Sequence, residues 1–122
     1  FDVTNQNVKF DVKGIKRDTR QGNFNPKIVW AEAVNVHGNK GWLYGKADFI
    51  AFEKPKQFVI VDRVKLLQFM RKKIQENNNE EVTQPHAALY RIYQRHGRKD
   101  KISKALMSDM ESISEWMVNK HE

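Results

Sequence analysis

The sequence predicts an α/β fold with a mixed, mostly antiparallel central sheet flanked by helices. Segments rich in β-branched and aromatic residues recur through the first half of the chain (FDVK, IVWAEAVNV, ADFIAFE, FVIVDR), separated by Gly, Asn and Pro. A helical apolar period follows the last of them, with Val64, Leu67, Met70 and Ile74 on one stripe and Leu66 widening it. A second stripe near the end of the chain joins Met110, Ile113, Trp116 and Met117. A chain of 122 residues is expected to form one domain, spanning 1–122, and is long enough to bury a core.

The first element is Asp2 to Lys13, two short extended pieces joined by the polar turn Thr4-Asn5-Gln6-Asn7. Alternate residues of a strand share a face, so Asp11 and Lys13 point one way while Phe10 and Val12 point into the opposite layer. A hairpin closed at the polar turn brings Asp2 beside Asp11 on the paired strand. Two carboxylates and one ammonium then converge. Hard carboxylate oxygens suit Mg²⁺, or Mn²⁺ in its place, and leave water sites open for a nucleophile and a phosphate oxygen. A lysine beside them neutralises developing negative charge or orients the attacking water.

The segment from Gly14 to Lys27 has no apolar period, contains Gly, Asn and Pro, and reads as a loop. Its cations Lys16, Arg17 and Arg20 follow the acidic cluster directly, where a phosphate backbone would have to pass. Ile28 to Val36 is the clearest strand. Ile28, Trp30, Val34 and Val36 share one parity and are expected to be buried together, with Glu32 on the same face. A carboxylate on an apolar face is costly unless it is paired or metal-bound, which adds Glu32 to the candidate catalytic and metal-ligating set. A rival assignment takes Asp11 as the lone aspartate and Glu32-Ala33-Val34 as an acid-x-lysine triplet, but valine cannot do the work of the lysine.

After a turn at His37 to Gly41, Trp42 to Glu53 and Phe58 to Arg63 read as two antiparallel strands, the second near-continuously apolar and therefore central. Asp48 and Asp62 imitate an acidic pair, but no lysine stands in register with them and both read as structural. Val64 to Glu76 is an amphipathic helix, with Arg71, Lys72 and Lys73 on its solvated side. Asn77 to Pro85 is a polar loop. Between His86 and Met107 a hairpin is favoured over a helix. Arg91, Arg95, Arg98, Lys99 and Lys101, interleaved with Tyr90 and Tyr93, form the densest basic and aromatic patch of the chain, a composition suited to phosphate contact and base stacking. Ser108-Asp109-Met110-Glu111 matches a capping box and opens a terminal helix over Met110 to Lys120.

Composition narrows the function classes. Twenty-two Lys and Arg against fifteen Asp and Glu leave a net charge of +7, which favours a polyanion partner, most simply nucleic acid. No cysteine is present, so disulfides and thiolate metal sites are excluded. The four histidines are too scattered for a recognisable metal cluster, and no Gly-rich phosphate loop occurs. No apolar run reaches membrane-spanning length and no signal-peptide pattern is seen, so neither a membrane partner nor export is expected.

The runs DVKGIKR, VWAEAVNV, GWLYGKADFIAFE and FVIVDR followed by a helix resemble the small phage-type and homing-endonuclease-like members of the PD-(D/E)XK nuclease superfamily. The resemblance spans Phe1 to Lys73, with Asp2 in the place of the lone aspartate and Asp11 and Lys13 as the (D/E)-X-K. It implies a restriction-endonuclease-like core and Mg²⁺-dependent hydrolysis of DNA phosphodiester bonds. It also implies a place in the cytoplasm of a phage-infected or bacterial host cell. The sequence departs from the pattern in three ways: Phe1 precedes Asp2 where a proline is usual, Val34 stands where a polar or basic residue is expected, and the chain opens directly on the first candidate strand. Relatives often place a helix before that strand, and a natural one is expected to precede Phe1. Cutting both strands of a duplex takes two sites, which a homodimer would supply. Two other readings stand beside the nuclease: a nucleic-acid-binding module that kept the fold and lost the chemistry, and a protein-binding inhibitor or adaptor that uses exposed aromatics.

Overall fold

The computed structural model describes residues 7–19 and 21–121. The chain is α/β, with its strands divided between two four-stranded sheets rather than gathered into one central sheet. In chain order the elements are β1 (Phe10–Lys13), β2 (Ile28–Val34), a 3-10 turn (Trp42–Tyr44), β3 (Phe49–Glu53), β4 (Gln57–Asp62) and α1 (Arg63–Glu76). Then follow β5 (Glu81–Val82), a 3-10 turn (Pro85–Ala87), β6 (Ile92–Tyr93), β7 (Lys101–Leu106), α2 (Met107–Ile113) and β8 (Trp116–Asn119). The first sheet has the order β1-β3-β4-β8 and the second β2-β7-β6-β5. Among the described residues no helix is long and apolar enough to cross a membrane.

The core lies where these sheets and both helices meet. Ile50 and Phe52 of β3 and Val59 and Val61 of β4 face Val29 and Ala31 of β2 and Ala105 of β7, and Leu66, Met70, Met107 and Met110 close the space from the helices. Small residues on the second sheet let the large side chains of the first interdigitate, which close packing requires. The inward face of β2 is therefore Val29 and Ala31, with Ala33 packed against it, and not the Ile28, Trp30 and Val34 parity. Val36 lies beyond the strand and is exposed. The physical reason is that both faces of β2 are covered, the second by the 14–27 segment: the Trp30 indole N–H donates to the Arg17 carbonyl at 2.9 Å.

β1 pairs in parallel with β3, Asp11 opposite Ile50 and Lys13 opposite Phe52. Asp11 and Lys13 thus share a face, as alternation requires. Of the hairpin expected over Asp2 to Lys13, the first strand and most of the turn lie outside the described residues, and the second strand is β1. Phe10 and Val12 meet no second layer among those residues: they remain 48% and 61% exposed, and Phe10 stacks on Phe49 and meets the edge of Trp116.

The helix expected at Val64 to Glu76 is α1, N-capped by the Asp62 carboxylate, which accepts from the Lys65 N–H at 2.9 Å. The expected hairpin appears as β6 and β7. Within it Tyr90 takes φ 51° and is buried, its hydroxyl donating to Asp109 and accepting from the Leu106 N–H, so this ring belongs to the core and not to a surface patch. The terminal helix expected over Met110 to Lys120 is corrected: α2 ends at Ile113 and the chain continues as β8 on the edge of β4. Backbone pairing to β4 satisfies every second N–H and C=O of that segment, which outweighs its helical stripe. The capping box is not formed either. Ser108 lies inside α2, whose N-cap is Leu106, and Glu111 pairs with Lys54.

Candidate functional site

The two ends of the candidate site come from strands distant in sequence. Lys13, at the end of β1, and Glu32, on β2, line one cavity of about 320 Å³ together with Lys16, Trp30, Trp42 and Phe52. The Lys13 ammonium sits 4.8 Å from the centre of the Trp42 ring and 3.1 Å from a carboxylate oxygen of Asp11. A cation over an indole face is attracted by the ring quadrupole, so Trp42 and Asp11 together hold Lys13 at the cavity wall. Both partners of the ion pair are partly exposed. Such a pair contributes only about 0.2–1 kcal/mol, weak enough to yield to a phosphate or a metal ion.

The Glu32 side chain makes no hydrogen bond or ion pair among the described residues, although it is half-buried. Its position depends on Gly41. A β-carbon at residue 41 would lie 2.4 Å from the Glu32 carbonyl oxygen and 2.7 Å from its Cγ, and the Gly41 N–H donates to Ala33 at 2.9 Å. β2 is irregular between Glu32 and Val34, an interruption that re-aims a strand side chain.

The cavity shares Lys16, Trp30 and Ile102 with a wider groove of about 810 Å³. Its walls carry Lys16, Arg17, Arg95 and Arg98, and the aromatic rings of Phe24, Trp30 and Tyr93 lie between them. The 14–27 segment, expected to be a plain loop, is folded back on itself by a bridge between Arg17 and Phe24, and the Asn25 N–H donates to Lys16 at 2.8 Å. Asp18 ties it down. The Asn25 side-chain amide, helped by the Lys104 ammonium at 3.2 Å, holds the Asp18 carboxyl below its usual range. On the opposite wall the buried Asp100 carboxylate pairs with Arg95 at 2.9 Å and lies 3.9 Å from Arg98. That arrangement sets four cations along the groove and the Lys13 ammonium at its inner end, all positions where an anionic group is attracted.

The candidate residues are thus partly gathered. Lys13 and Glu32 meet in one cavity with Asp11 beside them, while Asp2 lies outside the described residues. Lys16, Arg17, Arg95 and Arg98 share the groove; Arg20 is outside the described residues. The remaining basic residues do not join them. Arg91 is held by Glu80 and by the Leu89 carbonyl, Lys101 pairs with Glu81 and lines a different cavity with Arg71 and Tyr44, and Lys99 lies beside Gly38. For Lys101 the reason is strand alternation: Lys101 and Ile102 are neighbours in β7 and point to opposite faces, and only the Ile102 face forms the groove. Among the described residues no group of three or more His, Cys, Asp or Glu is placed to hold a metal ion.

Sequence reasoning missed Trp42 under Lys13, Gly41 behind Glu32, Phe24 and Trp30 in the groove, and the anchoring acids Asp18 and Asp100. The Gly-Trp pair at 41–42 was the readable signal, since a glycine outside a positive-φ turn marks close approach of backbones. Against protein-family models, curated proteins and solved structures, the chain finds no match.

Proposed function

We propose that this protein is a metal-dependent nuclease that hydrolyses DNA phosphodiester bonds from a restriction-endonuclease-like core. The supporting observation is that Lys13 and Glu32 line one cavity opening into a groove walled by four cations. Mg²⁺ is usually held by one or two carboxylates, with substrate phosphate and water completing its shell; Glu32, in the cavity, and Asp11, paired with Lys13 at its wall, would be those carboxylates. Asp2 would add a further carboxylate. When bound, the ion supplies Lewis-acid polarisation of the phosphate and a more acidic water.

The residues of the chain do the rest. Lys16, Arg17, Arg95 and Arg98 neutralise the phosphates on either side of the scissile bond and fix its register. Lys13, released from Asp11 as phosphate arrives, places its ammonium where negative charge grows in the transition state. Trp42 keeps that ammonium from swinging into solvent. Glu32, which has no hydrogen-bond or ion-pair partner among the described residues, orients the attacking water or ligates the ion.

A second reading is favoured by one observation: the Lys13 ammonium already has Asp11 as a partner, as it would in a binding module without chemistry. Cleavage of a plasmid and of short oligonucleotides with Mg²⁺ or Mn²⁺ separates the two readings. The nuclease reading expects nicking that falls by about 100-fold or more in Glu32→Gln and Lys13→Ala, with DNA affinity kept within about threefold. An unmodified chain that binds DNA and never nicks it with either ion is a binding module. DNA affinity that is flat across salt concentration removes both readings, because phosphate contact releases counterions.

A further inference from the structure

We infer that the groove takes an unpaired DNA strand, whose bases stack on its aromatic floor. The inference rests on the nucleic-acid reading above and specifies the form of the substrate. Phe24 keeps 62% of its surface exposed where the 14–27 segment folds back opposite Arg17, with the Arg17 guanidinium 4.6 Å above its ring. Trp30 and Tyr93 lie in the same groove, 5.9 Å apart and tilted by 42°. The wall cations Arg95 and Arg98 flank these rings, and Asp18, the one acid lining the groove among the described residues, is already committed to Asn25 and Lys104.

Aromatic faces set between cations are of little use to a duplex, whose bases are stacked on one another and present only edges and phosphates. For an unpaired strand the same arrangement serves both parts of each nucleotide. The cations track the backbone while the rings replace the stacking that the bases have lost. The groove, of about 810 Å³, has room for a few nucleotides of one strand. A strand threaded here leads its backbone past Lys16 toward Lys13 and Glu32, because Lys16 and Trp30 belong to both spaces.

Fluorescence anisotropy on the full chain tests this, with a short oligothymidylate and a duplex of equal length at the same salt and without divalent ions. The expected result is single-strand affinity roughly tenfold above duplex affinity, lost in Phe24→Ala and kept in Phe24→Trp. Because Phe24 is exposed, its removal leaves the core intact, and circular dichroism of both variants checks that. Duplex affinity equal to or above that for the single strand, with Phe24→Ala silent, overturns the inference and leaves the nucleic-acid reading standing. Absence of salt-dependent binding to either oligonucleotide overturns both.

Discussion

At the residue scale, the site depends on groups held by neighbours that do no chemistry themselves. Gly41 is the sharpest case. A methyl group there meets the Glu32 backbone and Cγ well inside contact distance, so Gly41→Ala must push Glu32 away or shift β2. The expected cost is about 1–3 kcal/mol in urea unfolding, accompanied by loss of cleavage as large as that of Glu32→Gln. A fully active Gly41→Ala would show that Glu32 need not stay where it stands. Asp100 offers a test in which charge and positioning oppose each other. Its carboxylate is buried with one oxygen lacking a hydrogen bond, and it fixes Arg95 and Arg98 on the groove wall. Asp100→Asn raises the net charge by one, and simple attraction would strengthen DNA binding. If the carboxylate acts by holding the arginines, affinity falls by about threefold to tenfold, which anisotropy at fixed salt reads directly.

At the element scale, the folded 14–27 segment is held in part by a carboxylate and so responds to acid. The Asp18 carboxyl is held below its ordinary value of 3.8, first by Asn25 and then by Lys104. A depressed carboxyl stabilises the folded segment above its unfolded pKa, and that contribution is lost as pH falls through the lower folded value. Fluorescence of the protein, with Trp30→Phe to assign the signal, should therefore be constant near neutrality and change only below about pH 4, where Asp18 protonates. Asp18→Asn should remove that transition. On α1, the Asp62 cap satisfies a free N–H of the first turn, and Asp62→Ala should lower stability by about 0.5–2 kcal/mol without affecting the groove. β8 teaches a different lesson about elements. Met110, Ile113, Trp116 and Met117 fit a helical stripe, yet the last two extend along β4, with Glu115 donating to Ile60 at 2.8 Å and Lys120 to Lys56 at 2.9 Å. A segment of good helical period becomes a strand when an open sheet edge lies within its reach.

At the scale of the whole molecule, the net charge of +7 is spread over many cations, but the fold aims only some of them at one place. Lys16, Arg17, Arg95 and Arg98 share the groove, so about four phosphate contacts are expected from them, giving a slope of about −3 for log affinity against log salt on a single strand. Arg98→Ala should make that slope shallower by roughly 0.7, whereas Arg91→Ala and Lys101→Ala should leave it unchanged, because those side chains face Glu80 and Glu81 away from the groove. Equal effects from all three variants would mean that binding follows total charge and not this groove. The dense run from Arg91 to Lys101 therefore divides into groove and non-groove residues according to the partners the fold gives each side chain, a division invisible to composition.

Much was nonetheless legible from residues alone. The extended character of FDVK, IVWAEAV and FVIVD, the α1 period, and the shared face of Asp11 and Lys13 all follow from short-range geometry, because side-chain period and backbone propensity act over a few residues. Glu32 does share a cavity with Lys13, but the pattern that singled it out assumed its parity of β2 to be the core face, and the core face is the other one. Tertiary structure decided which sheet each strand joins, which face of β2 is core, that β1 lies beside β3, and that Trp42 sits under Lys13. Those outcomes are set by competition among sheet edges and apolar faces across the whole chain, and the winner depends on partners dozens of residues away that no local window contains.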